Sequence, residues 1–313
     1  MGKYCIGVDV GGTSVKLGLF TMEGALMEKW EIPTRKENNG EWIIKDVAAS
    51  IQTKMEEKHM DKSDLYGIGM GVPGPTMADG HVIKCVNLGW AECDPASELQ
   101  KLLGIRVKIG NDANVAALGE MWMGGGKGHD DVVMLTLGTG VGGGVILGGC
   151  MVAGKRGVGG ELGHITVNPA ETECCNCGNH GCLEQYASAT GVVRMAKKLM
   201  EEEPNRTKLS SLETVTAKDV FDLAKEGDLV AKKAVEILGQ YLGMVLANVS
   251  LTVDPDVYVI GGGVSRAGEI LIQVIEKYYQ KYVCITKDKA KIVLAELGNE
   301  AGIYGAAKLA LEE

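Results

Sequence analysis

Apolar residues along the chain fall into short runs that end in glycine-rich turns. The first run, around Ile6–Val8, is followed by an alternating apolar pattern over Val15–Leu19, which predicts two strands joined by a hairpin. A second pair of runs, Val132–Leu137 and Val145–Leu147, repeats this plan, and Val257–Ile260 predicts a further strand. The repeat implies a duplicated architecture, and the alternation of strand and helix patterns predicts an α/β fold.

Glycine clusters occupy the ends of these strands. They are Gly11-Gly12-Thr13, Gly138 to Gly144, and Gly261-Gly262-Gly263. Backbone N–H groups in such turns approach a phosphate closely. The first two turns lead into strands, and the third leads into a helical pattern that begins near Ala267, where the helix dipole favours phosphate or ribose. Each turn alone is also compatible with a tight hairpin, but three together predict phosphate binding.

Two common nucleotide motifs are absent from the sequence. The dinucleotide fingerprint requires G-x-G-x-x-G at the start of a helix, whereas the first two turns here open strands. The chain also contains no G-x-x-x-x-G-K-[ST] loop. The phosphate turns therefore indicate a different nucleotide-binding architecture.

An acidic residue stands at the junction of a further strand and helix. The strand pattern Val107–Ile109 is followed by Asn111 and Asp112, and a helical pattern runs over Val115–Glu120. Asp112 is compatible with a plain helix cap, since Asp and Asn are preferred there. In a protein with glycine turns, we interpret it as a general base that faces the substrate, with amide neighbours. The positive end of the helix would keep its carboxylate ionised.

A cysteine-rich segment follows a Glu-Leu-Gly-His turn, Glu161 to His164. Its metal-binding residue types are Cys174, Cys175, Cys177, His180 and Cys182, and Glu184 closes it. Zinc prefers thiolate and imidazole ligands in a tetrahedral array, which predicts a closed structural site. The ligands that we expect are His164, Cys175, Cys177 and Cys182. Cys174 and His180 are competing ligands, and a redox-active or inert thiol cluster is the alternative.

Length and charge are typical of a soluble protein with about two domains. The chain has 313 residues, a net charge of -9 and 45% hydrophobic residues. The acidic balance argues against nucleic acid as a main partner, because phosphate binding on that scale needs a basic face. No targeting signal or membrane span stands out, since the apolar run Leu238–Val253 contains Gln240, Asn248 and Ser250. We therefore expect a cytoplasmic protein without membrane contact.

These motifs, taken in order, resemble the ROK family of sugar kinases over essentially the whole chain. The segments that carry the resemblance are Gly7–Thr13 with Lys16, Gly71–Pro75, Asn87–Trp90, Asn111–Asn114, Leu137–Gly144, Glu161–His164, Cys175–Glu184 and Gly261–Gly263. Within the family, the sequence most closely resembles the bacterial ATP-dependent glucokinases. Each segment is modest support alone, but their order and spacing together are highly specific.

The resemblance implies an actin-like, ribonuclease H-like ATPase fold with two lobes and a central cleft. We expect a small N-terminal lobe over residues 1–115, joined by a C-terminal helix over 300–313. The large lobe would cover residues 116–299 and include the zinc-binding loop. The family also implies a homodimer. The implied reaction transfers a phosphoryl group from ATP to the 6-hydroxyl of glucose, and glucose 6-phosphate enters glycolysis.

The resemblance also assigns roles to single residues. Asp112 is implied as the catalytic base. The implied sugar contacts are Asn111, Asp112, Glu161, His164 and Glu184, with Asn87 as a weaker candidate. The implied zinc ligands are His164, Cys175, Cys177 and Cys182, which leaves Cys174 and His180 as bystanders. The expected ATP-binding residues are Gly11, Gly12, Thr13, Lys16, Gly138, Thr139, Gly140, Gly142, Gly143, Gly261, Gly262 and Gly263. Asp9 would hold Mg²⁺ through water. Lys16 would add positive charge, and a solvated hairpin lysine is nearly as compatible with the sequence.

Three alternatives stay open at the level of sequence. The sugar is glucose or a neighbouring hexose such as mannose, fructose or an N-acetylated amino sugar, because one hydroxyl contact can alter the preference. The phosphoryl donor is ATP or polyphosphate. A sugar-sensing protein without catalysis is disfavoured, because the first phosphate strand starts almost at Met1 and leaves no room for a DNA-binding module.

Overall fold

The computed structural model of the chain describes residues 2–77, 79–203 and 206–312. Within those ranges the strands are β1 Tyr4–Val10, β2 Ser14–Thr21, β3 Leu26–Pro33, β4 Leu65–Val72, β5 Val107–Asn111, β6 Val132–Leu137, β7 Val141–Leu147, β8 Cys150–Met151, β9 Val257–Gly261 and β10 Lys291–Leu294. The helices are α1 Glu37–Gly40, α2 Ile43–Glu57, α3 Pro95–Leu103, α4 Asp112–Met123, α5 Glu184–Ala187, α6 Ala189–Glu202, α7 Ala217–Glu226, α8 Leu229–Val253, α9 Glu269–Tyr282 and α10 Ala301–Leu311. The predicted α/β class is confirmed.

The first sheet has the strand order β3-β2-β1-β4-β5. β1 pairs antiparallel with β2, and β2 pairs antiparallel with β3. β1 pairs parallel with β4, and β4 pairs parallel with β5. The hairpin predicted from the alternating pattern is therefore confirmed, and β5 delivers Asn111 at its end.

The second sheet repeats the order of the first. Its strands are arranged β10-β9-β6-β7-β8, so β6 to β8 correspond to β1 to β3, and β9 and β10 correspond to β4 and β5. The pairings agree as well, because β6 with β9 and β9 with β10 are parallel and β7 with β8 is antiparallel. The predicted duplication is confirmed.

Two predicted boundaries differ from the structure. The second glycine turn is shorter than the expected Gly138 to Gly144, because β7 already begins at Val141. Gly144 is a strand residue, and a Cβ atom there would lie 2.5 Å from the Ala117 Cβ atom on α4. Its glycine therefore allows a helix to approach a strand, which sequence alone does not separate from a turn. After the third turn, a 3₁₀ segment over Gly263–Ala267 precedes α9.

The C-terminal helix α10 packs closely on the first sheet. A Cβ atom at Gly7 on β1 would lie 2.0 Å from the Ile303 carbonyl oxygen, and one at Gly69 on β4 would lie 1.8 Å from that of Ala306. A Cβ atom at Gly305 of α10 would lie 1.6 Å from the Val115 carbonyl oxygen on α4. Such contacts need glycine, because any side chain would separate the backbones. α10 thus fixes α4, the helix that starts at Asp112.

The chain forms two compact units. Unit 1 comprises Met1–Asp130, Gly144–Gly160 and Glu296–Glu313, and unit 2 comprises Asp131–Gly143 and Glu161–Ala295. One helix in the described part of the chain, α8, has the length and apolar character of a membrane span. However, 56% of its most apolar window is buried inside the protein, which is typical of a core helix in a soluble protein.

Candidate active site and metal-binding cluster

Asp112 is the first residue of α4, and its neighbour Asn111 caps the helix. The Asn111 Oδ1 atom accepts hydrogen bonds from the backbone N–H groups of Ala113 and Asn114, at 3.0 and 3.1 Å. Asn111 Nδ2 donates to the Gly74 carbonyl oxygen at 3.1 Å. Asn111 therefore performs the capping that was the alternative role for Asp112. The half-buried Asp112 carboxylate accepts a hydrogen bond from the backbone N–H of Ala113 at 2.9 Å. It lies at the positive end of the helix.

The first glycine turn is closed by its own backbone and by one threonine. Gly11 N–H donates to the Ser14 carbonyl oxygen at 3.0 Å, and Thr34 Oγ1 donates to the Gly11 carbonyl oxygen at 2.7 Å. These two bonds define the turn between β1 and β2. Thr34 has no distinguishing signal in the sequence, and the turn motif alone does not identify it.

Asp9 stands on β1 just before this turn, opposite Lys16 on β2. Burial raises the pKa of Asp9, and the charge of Lys16 acts in the opposite direction. A Cβ atom at Gly302, near the start of α10, would lie 2.6 Å from Asp9 Cγ, so the glycine leaves room for the carboxylate. Lys16 Nζ donates to the Asn299 carbonyl oxygen at 3.3 Å in an exposed position.

The second glycine turn is anchored to the start of α6. Gly138 N–H donates to the Gly140 carbonyl oxygen at 2.9 Å, and Ala189 N–H donates to the Gly138 carbonyl oxygen at 2.7 Å. Thr190 Oγ1 donates to the Thr139 carbonyl oxygen, also at 2.7 Å. The turn is therefore held at both ends before β7 begins.

One glycine in each of the three turns is not required by the packing of the protein. A Cβ atom at Gly12 or Gly263 would meet no described atom within 4 Å, and one at Gly138 would reach only the Gly140 carbonyl oxygen at 4.0 Å. None of the three has a positive φ. Neither backbone conformation nor crowding explains these glycines. All three leave room for a ligand to approach the backbone closely, as a phosphate does.

Gly12→Ala is expected to raise the KM for ATP while the melting temperature stays at the wild-type value. The added methyl group meets empty space in the free protein, but it would occupy the volume that the phosphates need. Steady-state kinetics and thermal denaturation measure the two effects. Gly7→Ala is the matched control and should lower the melting temperature, because its methyl group would clash with Ile303. An unchanged KM for ATP in Gly12→Ala would contradict phosphate binding at this turn.

A cavity of about 480 Å³ adjoins the third glycine turn. Its floor contains the buried side chains of Phe221 and Val264, together with Ala189 at the start of α6. Its charged lining residues are Lys218, Asp222, Lys225 and Arg266, and Asp222 pairs with both lysines. The volume suits a small organic ligand with an apolar ring. Ala189, which lines the cavity, also donates its backbone N–H to the Gly138 carbonyl oxygen of the second glycine turn.

The structure brings the four predicted metal ligands together. The ligand atoms of His164, Cys175, Cys177 and Cys182 all lie within 4.8 Å of one another. Cys177 Sγ lies 3.6 Å from Cys182 Sγ, and Cys175 Sγ lies 3.9 Å from His164 Nδ1. Tetrahedral zinc with its usual bond lengths spaces sulfur atoms by about 3.8 Å and sulfur from nitrogen by about 3.5 Å. The residues therefore fit a tetrahedral metal ion.

The thiols of this cluster lie in different environments. Burial raises the pKa of Cys175, and it raises that of Cys182 to about 12. Burial also acts to raise the pKa of Cys177, but hydrogen bonds from the Asn179 backbone and the neighbouring thiols hold it below its ordinary value. A bound cation would replace the protons of such thiols, because metal ligands bind as thiolates.

Cys174 and His180 lie outside the group of four ligands. Both residues are exposed, and their backbones form an isolated antiparallel bridge with each other. The Cys174 thiol donates to the Cys175 carbonyl oxygen at 3.3 Å. Their backbone bridge closes the loop that carries the three cysteine ligands.

The predicted sugar contacts of unit 2 surround this cluster. His164 Nε2 lies 4.0 Å from Glu161 Oε2, while its Nδ1 atom faces Cys175. Cys175 Sγ lies 3.7 Å from Glu184 Oε1, and Glu184 Oε2 accepts a hydrogen bond from Val141 N–H at 3.0 Å. A continuous series of contacts thus leads from Glu161 through the ligands to the second glycine turn. Asn87, the weaker candidate, is exposed in a 3₁₀ turn over Val86–Leu88.

Glu171 anchors the segment that precedes the cysteines. Its carboxylate accepts hydrogen bonds from Tyr186 Oη at 2.7 Å and from Arg194 Nη2 at 2.9 Å, and its side chain is only 7% exposed. Burial acts to raise its pKa, but the bonds from Tyr186, from the Glu173 backbone and from Arg194 hold the pKa at about 2. The sequence contained no motif for this residue.

The folded protein is expected to lose stability as the pH falls from about 5 to 2, because Glu171 has a lower pKa folded than its unfolded value of about 4.3. Its contribution is complete above the unfolded pKa and is lost as protonation proceeds. Glu171→Gln should therefore lower the free energy of unfolding at pH 7 and flatten its decline in acid. Urea unfolding at several pH values tests this. Glu213→Gln, at an exposed position, should change neither, and equal pH slopes for Glu171→Gln and wild type would contradict the assignment.

The family model, the curated relatives and the solved structures that match this chain all indicate the same family, and each covers nearly its whole length. The ROK family model matches residues 5–313. A glucokinase of Halalkalibacterium halodurans is 41% identical over 97% of this chain and 93% of its own length, and a glucokinase of Thermotoga maritima is 36% identical over 98% and 97%. A crystal structure of a ROK family glucokinase from Streptomyces griseus, in complex with glucose and AMPPNP, is similar with a TM-score of 0.75. It is 33% identical and covers 98% of both chains.

Proposed function

The chain belongs to the ROK family, and we propose that it is a glucokinase that transfers the terminal phosphoryl group of ATP to the 6-hydroxyl of glucose. Two facts together carry the proposal. The chain is 41% identical to a glucokinase over 97% of its length, and each of its three glycine turns contains a glycine that its own packing does not require. The first fact indicates the reaction, and the second indicates a ligand with phosphates.

Asp112 acts as the general base in this proposal. Its carboxylate lies at the start of α4, where Asn111 is the residue that caps the helix. The positive end of the helix favours the ionised form, which can accept the proton of the sugar hydroxyl as that oxygen attacks the phosphate. Phosphoryl transfer otherwise requires mainly positioning and charge stabilisation.

Asn111, Glu161, His164 and Glu184 hold the sugar in this proposal. A carboxylate accepts hydrogen bonds from two neighbouring hydroxyl groups when it is held still. Glu161 lies beside the cluster, with its Oε2 atom 4.0 Å from His164 Nε2. Glu184 lies beside Cys175 and is held by the backbone N–H of Val141 at 3.0 Å. The His164 Nε2 atom faces away from the cluster and is suited to a sugar hydroxyl.

ATP binds along the three glycine turns in this proposal. Gly11-Gly12-Thr13 and the turn that contains Gly138 meet the phosphates, and the 480 Å³ cavity beside Gly263 receives the adenosine side. Asp9 would hold Mg²⁺ through water, and the ion would supply positive charge to the phosphates. Lys16, Thr139, Gly140, Gly142, Gly143, Gly261 and Gly262 complete the proposed nucleotide site.

Zinc is the metal that we propose for the cluster of His164, Cys175, Cys177 and Cys182. Three sulfur ligands and one nitrogen ligand in tetrahedral spacing select zinc over harder cations. The ion would stabilise the loop between Glu161 and Glu184 and would take no direct part in the chemistry.

The assembly and the lobe boundaries are further proposals. We propose that residues 1–115 with 300–313 act as the small lobe and residues 116–299 as the large lobe. We also propose a homodimer that works in the cytoplasm. Sedimentation velocity on the purified protein tests the homodimer, and a single species with the mass of one chain would exclude it.

A coupled assay for ADP with ATP, Mg²⁺ and a panel of sugars tests the function. Glucose is expected to give the highest kcat/KM among glucose, mannose, fructose, N-acetylglucosamine and N-acetylmannosamine. ³¹P NMR of the product should report a phosphate ester on the 6-oxygen. Glucose binding without ADP formation would indicate a sugar-sensing protein instead. Turnover with polyphosphate but not with ATP would show that polyphosphate is the phosphoryl donor.

A further inference from the structure

Asn114 lies on the first turn of α4, two residues after Asp112, and it is only 3% exposed. Its Nδ2 atom donates to the Gly159 carbonyl oxygen at 3.1 Å and to Asn111 Oδ1 at 3.4 Å. Both partners are acceptors, and Asn111 Oδ1 already accepts two backbone N–H groups. The orientation of the Asn114 amide is therefore determined by chemistry, because only its nitrogen can face these oxygens.

The other amide atom shows that this arrangement is costly. Asn114 Oδ1 is buried and has no hydrogen-bond partner among the described atoms of the protein. A buried oxygen without a donor destabilises the folded state, and an apolar residue of the same size would avoid that cost. The donation from Nδ2 to Gly159 is the contact that requires asparagine here.

Gly159 is the last residue but one of a loop over residues 153–160, which leads directly into Glu161. Gly159 N–H donates to the Ala153 carbonyl oxygen at 2.8 Å and closes the loop. The backbone of Gly157, with φ of +67°, packs so closely on Thr76 that a Cβ atom would lie 2.7 Å from the Thr76 carbonyl oxygen. Asn114 therefore supplies the side-chain hydrogen bond at the end of the loop from which the chain continues to Glu161.

We infer that Asn114 is a positioning residue for glucose. Through its hydrogen bond to Gly159, it attaches the loop over residues 153–160 to the first turn of α4, which carries Asp112. Glu161 follows this loop directly. The inference rests on the proposed function, in which Glu161 holds sugar hydroxyls and Asp112 removes the proton. A loose loop would let Glu161 move, so sugar affinity should suffer more than nucleotide affinity.

Two variants separate this role from a general loss of stability. Asn114→Asp keeps the size but replaces the donor by an acceptor, which would repel Gly159 and Asn111. Asn114→Leu removes the donor without adding repulsion. We expect the KM for glucose to rise roughly 5- to 100-fold, the range of one unmade buried hydrogen bond, and to rise more for Asp than for Leu. The KM for ATP should stay near the wild-type value.

Thr34→Val provides the matched control on the nucleotide side. Thr34 also donates from its side chain to a turn carbonyl, that of Gly11 at 2.7 Å, so its loss should raise the KM for ATP and leave that for glucose unchanged. Equal shifts of both KM values in the Asn114 and Thr34 variants would overturn the inference. So would a wild-type KM for glucose in both Asn114 variants.

Hydrogen exchange tests the structural half of the inference without any assay of activity. Amides of residues 153–161 should exchange faster in Asn114→Leu than in wild type, while those of β1 and β4 should not change. Unchanged loop exchange would overturn the inference even if the enzyme is a glucokinase. Conversely, a wild-type protein that does not phosphorylate glucose refutes the proposed function, and the exchange result then still reports whether Asn114 holds the loop.

Discussion

Replacement of Asp112 by asparagine is expected to lower kcat about 10²- to 10⁴-fold, the usual contribution of a general base. The asparagine keeps the shape and can keep the contact with Ala113 N–H, but its amide cannot accept the proton of an attacking hydroxyl. Glucose should still bind, because Asn111 remains at the helix cap and the other proposed sugar contacts are untouched. Steady-state kinetics and calorimetric titration with glucose measure the two quantities.

The matched control is Asp228→Asn, an aspartate at the start of another helix. Asp228 caps α8 by accepting the backbone N–H of Ala231 at 3.0 Å. Its replacement should lower the melting temperature modestly and leave kcat unchanged. A kcat for Asp112→Asn within a few fold of wild type would remove Asp112 as the base, since nothing else in the substitution compensates for a lost proton acceptor.

The features that sequence predicted are those that depend on local spacing. The β1–β2 hairpin follows from alternation over a few residues. Three of the four metal ligands, Cys175, Cys177 and Cys182, share one short loop, where Gly178 and Gly181 have positive φ and reverse the direction of the chain. The reversal brings Cys177 Sγ to within 3.6 Å of Cys182 Sγ. Local geometry is visible in a sequence because it involves few residues.

The features that sequence missed depend on contacts between distant segments. Asn114 and Gly159 are 45 residues apart, and Thr34 and Gly11 are 23 apart. In each case a side chain donates to a backbone carbonyl. The sequence marked Gly11 and the segment Asn111–Asn114 for other reasons, but no pattern marked the contact itself. Gly144 was assigned to a turn because its reason for being glycine, the approach of α4, lies outside its own neighbourhood. Such contacts appear only when the tertiary structure is known.

Glu184 connects the metal cluster to the proposed phosphate turn. One of its oxygens lies 3.7 Å from Cys175 Sγ, and the other accepts Val141 N–H at 3.0 Å. A Cβ atom at Gly140 would lie 2.1 Å from the second oxygen, so the turn depends on glycine to admit the carboxylate. In the proposed function, disorder in the cluster should therefore weaken the binding of both glucose and ATP, although the metal would take no part in the chemical step.

Cys177→Ser is expected to lose most of its bound metal and with it most of the activity. A serine hydroxyl is a poor zinc ligand at neutral pH, and a site with three good ligands binds zinc much more weakly than a closed site of four. Elemental analysis should find about one zinc per chain in wild type and far less in the variant. The KM for glucose should rise, because Glu161 and Glu184 lose the cluster that restrains them, and amides of the cysteine loop should exchange faster.

Cys174→Ser distinguishes loss of the metal from damage to the loop. This cysteine is exposed and stands beside Cys175, but it is outside the group of four ligands. Its replacement should leave both zinc content and the KM for glucose at their wild-type values. If Cys177→Ser kept its zinc, the proposed ligand set would be wrong. If it lost its zinc and kept a normal KM for glucose, the restraint of the two glutamates would have to come from the loop alone, and the metal would serve stability without serving the sugar.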